Sequence, residues 1–234
     1  MKQLLLAITV FCGLNGLFAQ TTINDPNAEP RDAKSFHSLR VSHAFDVYIT
    51  QGDEEGLAVS ASDKKNISNI KTEVKDGELR ISYDDSKKKS SGKLKAYVSV
   101  KNIDRIHVSG ASNVKIVGVL KADKLDVKLS GASDLKGQLE VAKFSADLNG
   151  ASDMIVSGSA TKATIEANGA SNFKGFEFAV DVCDATAGGA SDIQINVSKE
   201  LTAKAAGASD IRYSGEGVIR EMKTSGAASI AKAR

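Results

Sequence analysis

Residues 129–137 read LSGASDLKG, and the tetrapeptide inside them, Gly131-Ala132-Ser133-Asp134, recurs along the chain. It begins at Gly110, Gly131, Gly150, Gly169, Gly189 and Gly207, with Asn113 and Asn172 replacing the aspartate in two copies. A worn version starts at Gly226. Successive glycines lie 21, 19, 19, 20, 18 and 19 residues apart. A period near 19 is too short for two packed helices, but it suits one coil of a β-solenoid.

Counting outward from each glycine gives columns. Four residues after it stand Val114, Leu135, Met154, Phe173, Ile193, Ile211 and Ile230. Two before it stand Val108, Leu129, Leu148, Ala167, Ala187, Ala205 and Thr224. Four before it stand Ile106, Val127, Ala146, Ile165, Ala185, Ala203 and Met222. Polar side chains fill the position three before: His107, Lys128, Asp147, Glu166, Thr186, Lys204 and Lys223. Alternation with period two marks a strand buried on one face. Each repeat therefore reads as a strand in, a tight corner, a strand out and a looser turn, as at 121–124 and 159–162. Parallel coils place like residues about 4.8 Å apart, so seven coils would make a rod of about 34 Å. No coil buries its apolar face alone, which makes the stack the folding unit. Glycine supplies the corner's backbone freedom, and Asp or Asn tolerates left-handed geometry beside it. The expected fold is all-β: a parallel, β-helix-like solenoid of about seven coils.

The bulk composition agrees. The 234 residues are 41% hydrophobic and 26% charged, with 20 Gly, 2 Pro, no Trp and only 5% aromatics. Such a chain is globular, with a core of small and β-branched side chains. Residues 1–19 carry Lys2, an apolar run from Leu4 to Leu14 and a cleavage site after Ala19, the pattern of an export signal. That run is too short to span a bilayer comfortably, and no further membrane segment is expected. Removing it leaves 30 basic against 29 acidic residues, a formal charge of +1. Near-neutrality argues against a nucleic-acid partner. Cys183 is then the sole cysteine, and it falls in the core column six before the glycine, with Leu125, Phe144, Ala163 and Leu201. It reads as a small buried hydrophobe.

Upstream, VSHAFDVYI (41–49) aligns with VSGASNVKI (108–116), which makes it a degenerate early coil with His43 at the glycine position. Asp76-Gly77 between alternating runs signals a hairpin. Residues 84–93 form a polar loop. The chain divides into a signal (1–19), an extended tail (20–29), a strand-rich section capping the solenoid (30–105) and the repeat solenoid (106–234). A cap is needed because a bare coil end exposes a strand edge.

With these features in view, the chain resembles the head GIN domain of auto-transporter adhesins, chiefly exported proteins of the Bacteroidetes. The resemblance rests on SFHSLRVSHAFDVYITQG, VKDGELRISY, VSVKNIDRIHVSGASNVKI and the run of tetrapeptides, over about residues 32–230. It implies a β-helix-like fold and an adhesive role without a defined ligand. It carries no catalytic residues and no cofactor.

Chemistry is sparse. A polysaccharide-cleaving β-helix, the alternative reading, needs clustered acids and bases on one face, and no catalytic set stands out. His43 and His107 occupy near-aligned positions in separated coils, which would bring them close if those coils stack. Weak calcium binding has its candidates in Asp134, Asp153, Asp192 and Asp210, the carboxylates of the corner column, with Lys115, Lys136, Lys174 and Arg212 beside them. The tyrosines Tyr48, Tyr83, Tyr97 and Tyr213 form no column. The expectation is a non-catalytic envelope or adhesion module, exported to the periplasm, outer surface or medium, and meeting a protein or glycan.

Overall fold

The computed structural model describes residues 25–84, 86 and 92–233, so the signal read at 1–19 lies outside the described residues. Eight strands precede the long repeats: β1 (Glu29–Arg31), β2 (Ser38–Val41), β3 (Phe45–Gln51), β4 (Gly56–Ala61), β5 (Ile70–Lys75), β6 (Glu78–Tyr83), β7 (Leu94–Val100) and β8 (Arg105–Val108). The repeats form β9 (Asn113–Leu129), β10 (Asp134–Leu148), β11 (Asp153–Ala167), β12 (Asn172–Ala187) and β13 (Asp192–Gly207). They end in β14 (Asp210–Ser214), β15 (Val218–Gly226) and β16 (Ser229–Lys232).

From β9 to β16 every pairing is parallel. The register is the one the tetrapeptides dictate: Leu135 pairs with Val114 and Met154, and Leu148 with Leu129 and Ala167. The molecule is a parallel β-solenoid of about seven turns. One difference concerns the looser turns. Residues 121–124 lie within β9 and 159–162 within β11, because the ladder continues around the bend, with Lys121 paired to Glu140 and Ala160 to Val141. Continuing it there leaves fewer backbone groups unpaired than a free turn would.

Inward columns build the core. Ile106, Val127, Ala146, Ile165, Ala185 and Ala203 are all buried, as are Leu125, Phe144, Ala163, Cys183 and Leu201. Phe144 packs edge-on against Phe178 with ring centroids 5.3 Å apart, and tilted against Phe173 at 6.3 Å. These rings supply bulk that alanines elsewhere in the columns lack.

The front end departs from simple stacking. Strand β2 lies between β6 and β8, all three parallel, and β3 lies between β7 and β9. The coil at 38–51 is thus sandwiched between segments 78–100 and 105–117, and the first coil in sequence is the second in space. Outside it, antiparallel strands take over: β5 on β6, β4 on β7 and β1 on β4. The β5–β6 hairpin turns at Asp76 (φ 52°) and Gly77 (φ 74°), the two positive φ values of a type I′ turn. Residues 25–29 fold onto this end. The Asp25 carboxylate accepts hydrogen bonds from the Tyr97 hydroxyl at 2.7 Å and the Lys95 ammonium at 3.1 Å.

Candidate functional site

Each position of the tetrapeptide has its own task. The glycines, Gly110 to Gly226, all sit at φ between 74° and 88°. They also stack backbone on backbone: a Cβ on Gly150 would lie 2.5 Å from the Gly131 carbonyl oxygen, and one on Gly207 2.6 Å from that of Gly189. The alanine N–H donates one coil back, as from Ala151 to Gly131 O at 2.8 Å. The serine side chain is buried in six corners. In five of them its hydroxyl closes the turn by donating to the carbonyl three residues earlier, as Ser152 to Asn149 at 2.9 Å and Ser171 to Asn168 at 2.7 Å, while Ser112 donates to His43 O at 3.2 Å. A serine column on the otherwise apolar inward face was the signal that each hydroxyl needs a buried partner. His43 stands at the glycine position with φ 79°.

The fourth residue faces outward and forms the ladder Asp46, Asn113, Asp134, Asp153, Asn172, Asp192, Asp210 and Ser229. Amides and a hydroxyl interrupt it. Asn113 donates to Asp46 at 2.9 Å, Asn172 to Asp153 at 2.6 Å, and Ser229 to Asp210. Asp134 faces Asp153 and Asp192 faces Asp210. An ion between two coils would meet a pair of carboxylates, whereas calcium takes about 6–8 oxygen ligands. Among the described residues no three His, Cys, Asp or Glu side chains are arranged to hold a metal ion.

The histidines have separate neighbours. His37 meets Asp104 at 3.1 Å, while His43 Nδ1 approaches the Ser42 hydroxyl at 3.1 Å. His107 lies beside Arg40 at 3.3 Å, and burial, with Arg40 adding to it, lowers its pKa. The Cys183 thiol is buried and pushed up to about 12 by desolvation, so it is no nucleophile in the folded chain.

Two residues beyond the aspartate ladder runs a second outward column: Tyr97, Tyr48, Lys115, Lys136, Ile155, Lys174, Gln194 and Arg212. Two tyrosines do therefore share a column, contrary to expectation. The rings of Tyr48 and Tyr97 stack with centroids 5.3 Å apart and planes 19° from parallel. Their register appears only once β7 is laid on β3. Burial and the bond to Asp25 raise the Tyr97 pKa, so its hydroxyl stays a donor.

Unequal coil lengths shape this face. Opposite Gly137 of β10, strand β9 carries Ile116, Val117 and Gly118; opposite Val156 and Ser157 of β11, strand β12 carries Gly175, Phe176 and Glu177. The two longer coils bulge outward and the two 19-residue coils between them recede, leaving a groove of about 530 Å³. Ile155, 40% exposed, lies within it, and Phe176, 36% exposed, stands on one wall. The repeat spacings of 21, 19, 19 and 20 hold this feature, but as bare numbers they read as noise.

The family model for "putative auto-transporter adhesin, head GIN domain" matches residues 35–217. The chain belongs to the head GIN domain family. Solved structures share its architecture. A "putative adhesin" from Bacteroides fragilis NCTC 9343 is 24% identical, with a TM-score of 0.83 over 88% of this chain and 96% of its own. A "putative lipid binding protein" from Parabacteroides distasonis ATCC 8503 is 19% identical, with a TM-score of 0.68 over 89% and 97% of the two chains. A "putative adhesin" from Parabacteroides merdae ATCC 43184 is 16% identical, with a TM-score of 0.66 over 88% and 95%. Among curated proteins, none matches. In this head GIN domain no described helix is long and apolar enough to cross a membrane.

Proposed function

We propose that this head GIN domain is an exported, non-catalytic module of the cell envelope that holds a protein or glycan partner against the side of its rod. The observation that carries this reading is the in-register outward face, a column of eight residues from Tyr97 to Arg212. Parallel stacking fixes each side chain on a rigid lattice with a rise of about 4.8 Å, which lowers the entropy lost when a long partner docks. The signal pattern expected at residues 1–19 and the family's adhesive character support export. The test is binding of the purified, fluorescently labelled chain to intact cells and to isolated envelope fractions. Saturable binding competed by unlabelled protein supports the module. Absence of binding to both, or cleavage of envelope polysaccharide by the purified chain, overturns it.

A further inference from the structure

The geometry points to the groove between the β9 and β12 bulges as a binding site for an acidic polysaccharide whose sugars carry both carboxylates and hydroxyls. This deepens the binding-module reading and rests on it.

Three observations converge. First, the cations of the groove are uncommitted. Elsewhere on the rod most lysines, Lys124 and Lys143 excepted, pair across or along coils: Lys121 with Glu140, Lys128 with Asp147, Lys162 with Asp184 and Lys199 with Asp181. Lys115, Lys136 and Lys174 have no carboxylate within ion-pair distance among the described residues. They stand in one line parallel to the rod axis, interrupted only by Ile155. Second, the line continues into the Tyr48–Tyr97 stack at one end, and Phe176 borders it. These rings present flat apolar surface beside polar groups, which suits the C–H faces of pyranose rings. Third, the neighbouring column holds Asp134 and Asp153, the latter already accepting from Asn172. A ligand that is acidic throughout would be repelled there. A uronate sugar would not, because its carboxylate meets the lysines while its hydroxyls donate to the aspartates.

The shape selects a polymer over a lipid. The groove is open along its length and its exposed large apolar side chains are Ile155 and Phe176, too little to enclose an acyl chain. Its cations repeat at the coil rise of about 4.8 Å and at twice that, a scale similar to the rise per sugar of an extended glycan. Near-neutral overall charge also disfavours nucleic acid, which binds through a broad excess of basic residues.

The experiment measures binding of the folded chain to polygalacturonate by calorimetry. Neutral dextran and vesicles of phosphatidylglycerol serve as competing probes. Expected are saturable binding to polygalacturonate, weakening as salt rises and screens the contacts, and none to dextran. Lys136→Gln combined with Lys174→Gln should weaken binding about tenfold or more. Lys124→Gln combined with Lys143→Gln, which removes two exposed lysines paired in register away from the groove, should leave it unchanged. Equal loss in both double variants overturns the site, as does failure to bind polygalacturonate. Preference for the vesicles overturns the ligand class. A chain that still binds envelope fractions while ignoring polygalacturonate sinks this inference and leaves the module reading standing.

Discussion

Replacing Gly150 by alanine puts the corner geometry under direct load. The residue sits at φ 81°, where a Cβ costs about 1–2 kcal/mol. The new carbon would lie 2.5 Å from the Gly131 carbonyl oxygen, the same oxygen that accepts the Ala151 N–H at 2.8 Å. That neighbour is backbone held between coils and cannot swing aside as a flexible side chain would. Relieving the overlap stretches at least one inter-coil hydrogen bond, worth about 1 kcal/mol net. It also loosens the Ser152 bond to Asn149, and a buried hydroxyl left alone costs about 1–3 kcal/mol. The expected loss is about 3–6 kcal/mol. Gly118 is the matched control, with φ 80° but nothing within 4 Å of an added Cβ; Gly118→Ala should cost only the conformational part, about 1–2 kcal/mol. Urea unfolding followed by circular dichroism compares the two, provided the transition slope is unchanged. Equal midpoints for the two variants would refute the claim that coil-on-coil contact, rather than positive φ alone, demands glycine. The overlap also eases toward the far end, where a Cβ on Gly226 would stand 2.9 Å from Gly207 O, so Gly226→Ala should be milder than Gly150→Ala.

Other outcomes follow from burial and charge. Burial works to raise the Asp25 pKa, but hydrogen bonds led by the Tyr97 hydroxyl outweigh it and hold the carboxyl at about 2, against ~3.9 when unfolded. A depressed folded pKa stabilises above the unfolded value and is lost as pH falls. The stability gap between wild type and Asp25→Asn should therefore close between about pH 4 and pH 2, and a gap constant across that range in urea titrations counts against the Asp25–Tyr97 contact. Cys183 should resist thiol reagents at pH 8 until urea unfolds the chain; prompt labelling of folded protein would contradict its burial. Phe178→Ala should cost about 3–5 kcal/mol, measured by the same denaturation, because it empties the ring packed against Phe144. Millimolar calcium should leave the melting temperature unmoved, and a rise abolished by Asp134→Asn would instead place an ion between Asp134 and Asp153.

Much of the solenoid is readable from residues alone, for a definite reason. In a parallel stack the repeat spacing is the register, so aligning Leu135 with Met154 in sequence also aligns them in space. The early coil at 41–49 is recognisable by the same rule, since Val41 pairs with Val108 and Val47 with Val114. The rule fails where the chain leaves and returns. Strand β6 does echo β2, since ELRI (78–81) pairs with SLRV (38–41), but the offset of 40 residues there widens to 49 between Tyr48 and Tyr97, so no single spacing aligns both. The Tyr48–Tyr97 stack was hidden for this reason. The groove was hidden for another: bulges arise from one or two surplus residues, and a surplus becomes a wall only when its neighbours are shorter. The lysines beside the aspartates were legible as a column, but their lack of partners depends on distances that spacing does not encode.

The sandwiched coil at 38–51 has a kinetic corollary. Its partners in β8 and β9 lie 67 residues further along the chain, while each later coil needs only its predecessor, about one repeat away. Contacts that close long loops form slowly. During synthesis, residues 38–51 must wait for both flanking segments to emerge before their ladder is complete, after which the remaining coils can be laid down one by one as they are made. The interleaved start is then the nucleus on which the rod grows, and the rate of folding is set at that end of the molecule.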